Sequence, residues 1–322
     1  MKETVHSVFG VKLASDFPFT NRLVPTEGVP DLRFNRVDRR PVTEPWQSEE
    51  PAFASSLEPG EQERYFSIHL SDRYSVLRFL GSTEFYLSSG RIACYESSAA
   101  RPDLTEGFFL GAVMSYWLEH SGVPVLHSCA VNIDGGAIAF LENNGAGKSC
   151  LGATFLQAGH SLMTDDVLPL RELDGEFCGI PAYPTMRMWP DQALHFVGRY
   201  EDLRPVQPGN SKRMVPIGSD SFGAFCEVPT PLTCVYLPER RDPATWGTDV
   251  EINPISPADA VMKLVQHSFI PRLVYALGWQ PERLSFFARF IRRVPLRHLR
   301  YPNGLQFLPA VRDAILKDAR TP

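Results

Sequence analysis

Short apolar runs recur along the chain and predict most of its elements. Residues 137–141 read Ala-Ile-Ala-Phe-Leu, without a polar break, as a strand buried on both faces does. From Lys148 to Ala158 the pattern changes to helical spacing, with Leu151, Phe155 and Ala158 on one face. Gly159 is placed to end that helix. Upstream, Val125–Ile133 reads as a strand, and Asp134-Gly135-Gly136 as the turn of a hairpin into residue 137. A two-residue turn at Asp134-Gly135 pairs His127 with Glu142, and one at Gly135-Gly136 pairs it with Asn144. Ser161–Thr164 and residues 232–237 read as further strands.

Elsewhere the pattern divides the chain. Residues 1–40 mix short apolar runs with prolines and show no period. Residues 41–64 shift to Pro, Glu, Ser and Gln and read as a surface loop or linker. Strand-like runs follow at 65–70, 74–80, 84–87 and 91–95, so residues 1–104 are expected to form a small β-rich N-terminal domain. A helix with Leu110, Val113, Met114 and Trp117 on its buried face, and Gly122 beyond its end, leads into a second domain over 105–322. Ser256-Pro257 starts a helix, with Asp259 as the acid of a capping box and Val261, Leu264, Val265 and Ser268 inward. A last helical stretch carries Leu284, Phe287, Ala288 and Ile291. The basic run from Arg292 to Arg300 alternates with Val294, Leu296 and Leu299 as an edge strand would.

Composition narrows the class. The 322 residues can bury a real core, and 43% hydrophobic with 21% charged residues is ordinary for a globular protein. A formal net charge of −5 argues against nucleic acid as partner. No apolar run is long enough for a bilayer, and Met1 to Ser7 lacks the apolar core of a signal peptide, so no membrane and a cytoplasmic location are expected. Six cysteines without a C-x-x-C pair read as buried thiols in a reducing compartment.

The chemistry concentrates between the strand at 137–141 and the helix at Lys148. Residues 142–149, E-N-N-G-A-G-K-S, read as a phosphate-binding loop. Backbone N–H groups of Asn144, Gly145, Ala146, Gly147, Lys148, Ser149 and Cys150 would cradle an anion at a helix N-terminus. Lys148 adds charge, and the Ser149 hydroxyl is placed to bind magnesium. Glu142 stands where the pattern G-x-x-x-x-G-K-[ST] has its first glycine. Asp165 and Asp166 follow the next strand, where one carboxylate can hold a metal and the other take a proton from an acceptor hydroxyl. His127 falls beside the loop in either hairpin register. Arg187 and the Lys212-Arg213 pair are cations in irregular segments.

From residue 126 to 170 the chain resembles the C-terminal domain of HPr kinase/phosphorylase and its relatives. The shared features occur in order: L-H-S-C-A-V, a hairpin, N-G-A-G-K-S, a helix closing at A-G-H, and L-M-T-D-D-V. The segments R-M-W-P-D, K-R and V-P-L-R-H-L-R-Y-P resemble HPr-kinase-like proteins found beside lasso-peptide biosynthesis genes. The resemblance implies an α/β fold of the HPr kinase and phosphoenolpyruvate carboxykinase type, with ATP and magnesium as cofactors. It also implies phosphate transfer to a serine hydroxyl of a peptide or protein. By position it makes Lys148 and Ser149 phosphate and metal ligands, Asp165 the metal-side acid and Asp166 the base. His127 then lines the phosphate site, and Arg187 and Lys212 match looser segments. Glu142, and the lack of the glycine-rich segment that HPr kinases place after the acid pair, point away from HPr itself as substrate. A nucleotide-binding regulatory protein without catalysis and a small-molecule kinase are the alternatives. Association into a homo-oligomer stays open.

Overall fold

The structure is a computed structural model that describes residues 4–42, 50–56, 64–142, 147–207, 209–218 and 220–319. Among the described residues, two nine-stranded sheets and a two-stranded ribbon carry a mixed α/β architecture. The first sheet holds β1 (Thr4–Val8), β2 (Val11–Ser15), β3 (Val24–Pro25), β4 (Leu32–Val37), β5 (Phe53–Ser56), β6 (Arg64–Leu70), β7 (Ser75–Phe79), β8 (Thr83–Ser88) and β9 (Arg91–Glu96). Their order is β3-β1-β2-β4-β9-β8-β7-β6-β5. The strands β6 to β9 are the four runs legible in the sequence. The first forty residues, which showed no period, supply β1 to β4, and β5 lies inside the stretch expected as loop or linker; residues 43–49 and 57–63 fall outside the described residues.

A helical segment packs on this sheet: α1 (Pro102–Phe108), a single π-turn at Phe109–Val113 and α2 (Met114–His120). Phe109 stacks on Phe34 at 3.8 Å and Phe108 on Phe79 at 4.4 Å. Rings at these spacings add directional stabilisation to their large buried area. The helix is buried nearly all round rather than on one face, and Trp117 is only half-buried.

The second sheet is mixed, not parallel. It contains β10 (Val125–Ile133), β11 (Gly136–Leu141), β12 (Ser161–Thr164), β13 (Val167–Leu173), β14 (Glu176–Gly179), β17 (Ala224–Phe225), β18 (Thr230–Arg241), β19 (Glu251–Pro254) and β20 (Leu296–Pro302). Between β14 and β17, β15 (Thr185–Met188) and β16 (Arg213–Pro216) form the ribbon. Strand β10 is antiparallel to β11, β12 and β13, whereas β18 runs parallel to β11 and β20. Along β10 and β11 alternate side chains enter two cores. Cys129, Val131, Ile138 and Phe140 join one, and Ala130, Ala137, Ala139 and Leu141 the other. That two-sided burial is why β11 reads as an unbroken apolar run.

Helices cover both faces. On one lie α3 (Lys148–Gln157), α4 (Pro190–Val197) and α9 (Leu308–Ala319); after the short α5 (Pro243–Trp246), α6 (Pro257–Gln266) and α8 (Gln280–Phe290) cover the other. The remaining helix, α7 (Pro271–Ala276), packs Leu273 into the core of the first sheet. Three sequence readings need correction here. Ala158 is exposed at the end of α3, because that helix is buried almost all round and has no single face. The inner face of α8 is Arg283, Phe287 and Phe290, while Leu284 and Ala288 point outward. Strand β20 is interior, paired by β18 and β19, so its basic residues alternate with Leu296, Leu299 and Tyr301 in a core rather than at an edge. All six cysteines are free and buried. No helix among the described residues is long and apolar enough to cross a membrane.

Candidate functional site

The β10–β11 hairpin fixes the first part of the site. Ile133 pairs with Gly136 and Ser128 with Leu141, the register of a turn at Asp134-Gly135. Both turn residues have positive φ, 52° and 92°, as a tight hairpin with right-handed strand twist requires. That register sets His127 opposite Glu142. Asn144, Gly145 and Ala146 lie outside the described residues.

Description resumes at Gly147, whose φ of +97° leads into α3. A Cβ there would stand 2.8 Å from the Tyr301 hydroxyl. Both conformation and space therefore require glycine. Lys148 is buried at 8% exposure, and its Nζ donates to the Glu142 carbonyl. Burial lowers its pKa, against the pull of Asp165, Cys129 and Asp166. Cys150 is buried, and burial first of all pushes its thiol up to about 12. It is a neutral wall of the site.

The acid pair follows directly on β12, where the sequence places it, and leads straight into β13. Thr164 pairs with Ala130, and Val167 pairs with His127 on the same strand. Strands β12 and β13 thus run along one edge of β10, broken only at Asp165-Asp166. The Ser128 N–H donates to the Asp166 carbonyl at 3.0 Å, which holds the break in place. Its two side chains meet Arg187, supplied by β15. The backbone N–H of Arg187 donates to Asp165 Oδ2 at 2.7 Å, and its Nη1 donates to Asp166 Oδ2 at 2.7 Å. Asp166 Oδ1 lies 3.4 Å from His127 Nδ1. Burial pulls the Arg187 pKa down, but Asp166 and Tyr183 outweigh it and hold the guanidinium above its ordinary value. His127 is shifted down, first by burial, then by the nearby Lys148, Arg187 and Lys212, with Asp166 opposing.

Asp165 has its pKa raised by burial, opposed by the Arg187 N–H and the Ser149 hydroxyl. Its Oδ1 is buried with no hydrogen-bond partner among the described residues. A buried carboxylate oxygen near a serine hydroxyl is the hard-oxygen chemistry that would hold a magnesium ion. Among the described residues no three His, Cys, Asp or Glu side chains form a metal cluster by themselves.

These groups line one cavity of about 480 Å³, which takes in His127, Gly147, Lys148, Ser149, Cys150, Asp165, Asp166, Arg187 and Lys212. The β15–β16 ribbon delivers two of them: Arg187 lies opposite Met214, and Lys212 precedes Arg213 opposite Met188. The ammonium of Lys212 sits 5.1 Å from the Trp189 ring. Trp189, Gln192, Gln207, Asn210 and Phe269 also line the cavity and were not assigned from sequence. Nor was His267. It is 4% exposed, its carbonyl accepts the His127 N–H at 3.0 Å, and its Nε2 lies 3.7 Å from Glu142 Oε1. The sequence signal for these residues was weak, because they arrive in pairs from three distant segments: Trp189 and Gln192 at the start of α4, Gln207 and Asn210 before β16, and His267 and Phe269 after α6.

Fold and cavity together define a mixed α/β protein with a cavity at the start of α3, lined by Lys148 and Ser149, and an Arg-bridged acid pair in the same cavity. No protein-family model matches the chain, and no curated protein is found similar to it. Among solved structures, the HPr(Ser) kinase/phosphatase from Coxiella burnetii is similar at 12% identity and a TM-score of 0.31. The match covers 61% of this chain and 95% of that one.

Proposed function

We propose that the protein is an ATP- and magnesium-dependent kinase that phosphorylates a serine hydroxyl in a peptide or protein. The observation that carries the reading is the convergence of Lys148, Ser149, Asp165, Asp166, Arg187 and His127 on one cavity from four separate chain segments. Phosphoryl transfer is mostly positioning and charge stabilisation, and these residues supply both. Lys148 and the N-terminus of α3 bind the ATP phosphates. Ser149 and Asp165 hold magnesium, which when bound neutralises charge on the phosphates. Asp166 takes the proton of the acceptor hydroxyl. The hydroxyl oxygen bonds to the γ-phosphorus as the bond to the β–γ bridging oxygen breaks, and ADP leaves. Arg187 orients both carboxylates, and neutral His127 stands beside the base. Arg187 and Lys212 add positive charge opposite the loop.

A second reading, nucleotide binding without transfer, is favoured by Glu142, since a carboxylate at the loop repels phosphate. Incubation with γ-labelled ATP, magnesium and a library of serine-containing peptides separates the two. The kinase reading expects label on serine. Label that stays on bound nucleotide, with every peptide unmodified, supports the second.

A further inference from the structure

A second cavity, of about 350 Å³, adjoins the first, and the two share Asp166, Arg187, Val206, Gln207 and Phe269. Its other walls are largely apolar. Phe53 and Phe66 come from the β5 end of the first sheet, and Leu104 and Phe108 from α1. Phe269 stands between the cavities, 5.8 Å from the His127 ring.

Two glycines keep this cleft open. Gly107 and Gly111 both line it, four residues apart on one helical segment. Glycine is a poor helix former, and neither residue has the positive φ that would call for it. A Cβ at either would meet nothing within 4 Å, although Gly111 is buried. Open space at a buried helical position is the cleft itself.

We propose that this cleft seats the acceptor: an extended peptide whose serine hydroxyl reaches Asp166 and whose neighbouring residue is aliphatic or aromatic. The proposal rests on the kinase reading above and specifies its substrate. Among the described residues the only acid lining the cleft is the proposed base, so a molecule lying on the aromatic wall brings a hydroxyl to Asp166 from the side opposite ATP. An extended peptide fits better than a compact metabolite. Strand β5 ends the sheet order among the described residues, so its outer edge offers backbone hydrogen bonds to a strand laid beside it. Phe53 and Ser55, alternate residues of β5, both line the cleft.

Calorimetric titration of the full chain, without nucleotide, tests this with three synthetic pentapeptides. Each carries a central serine flanked on both sides by Leu, by Gly or by Asp. The Leu-flanked peptide is expected to bind at least about tenfold more tightly than the other two, since burying one such side chain suffices for that ratio. In Gly111→Leu, and independently in Gly107→Leu, that preference should disappear because the new side chain fills the cleft. Equal affinities, no measurable peptide binding, or a preference that survives both variants would overturn the proposal. Free serine or leucine binding as tightly as the peptide would overturn the peptide assignment. Titration of a non-hydrolysable ATP analogue into the same proteins reads the phosphate cavity separately. Peptide preference without nucleotide binding sinks the kinase reading alone, and nucleotide binding without peptide preference sinks the cleft alone.

Discussion

Glu142 and His267 form the least expected contact of the site, 3.7 Å apart. The histidine is buried and its pKa is held down, first by burial, with Glu142 opposing. His127 is likewise held below its ordinary 6.5. A folded-state pKa below 6.5 means that the unfolded chain takes up these protons first as pH falls. Stability is therefore full above that value and is lost as pH drops through it toward the lower folded pKa. Melting temperature should decline between about pH 7 and pH 5, and His267→Gln should flatten that decline. An unchanged slope in the variant would show that His267 does not titrate there. At the same scale, Glu142→Gln removes a carboxylate at the proposed phosphate site. It should tighten ATP about fivefold at low salt, or about 1 kcal/mol, with the gain shrinking as salt is raised. Weaker binding measured by titration would assign Glu142 a positive role.

At the scale of elements, the junction between loop and α3 rests on Gly147. Gly147→Ala meets both a positive φ and the Tyr301 hydroxyl. It should cost about 1–3 kcal/mol of stability and weaken ATP at least about tenfold. Gly159→Ala has a similar φ of +95° but nothing within 4 Å. It should lower the melting temperature and leave ATP titrations unchanged. Equal effects on nucleotide in the two variants would separate the loop from nucleotide binding. Elements built from local pattern were legible in the sequence. The hairpin followed from Asp134-Gly135-Gly136, though its sequence left two registers open, β11 from its apolar run, and the acid pair from its place after β12. What was hidden depends on distant partners. Strands β1 to β5 are short; β1 to β4 pair with one another, and they and β5 join the legible strands only through β9 and β6. Arg187 and Lys212 reach the cavity through the β15–β16 ribbon, whose strands lie 24 residues apart between Met188 and Arg213. The inner face of α8 was misread because a buried arginine, Arg283, occupies it.

For the whole molecule, Arg283 matters most through Glu119. The pair joins α8, which covers the second sheet, to α2, which packs on the first, and both side chains are 5% exposed. Glu119 Oε1 also accepts the Val125 N–H at 2.9 Å, at the start of the strand that carries His127. Arg283→Ala leaves a buried carboxylate uncompensated and should destabilise the fold by about 3–5 kcal/mol in denaturant titrations. A loss below about 1 kcal/mol would mean that water already reaches the pair. The central claim concerns Asp166, where the two cavities meet. Single-turnover transfer of label from ATP to an acceptor peptide, measured beside ATP affinity in wild type and Asp166→Asn, tests it most directly. The expected result is transfer reduced about 10²–10⁴-fold with ATP affinity within a few-fold of wild type. Transfer at the wild-type rate in Asp166→Asn would contradict the account.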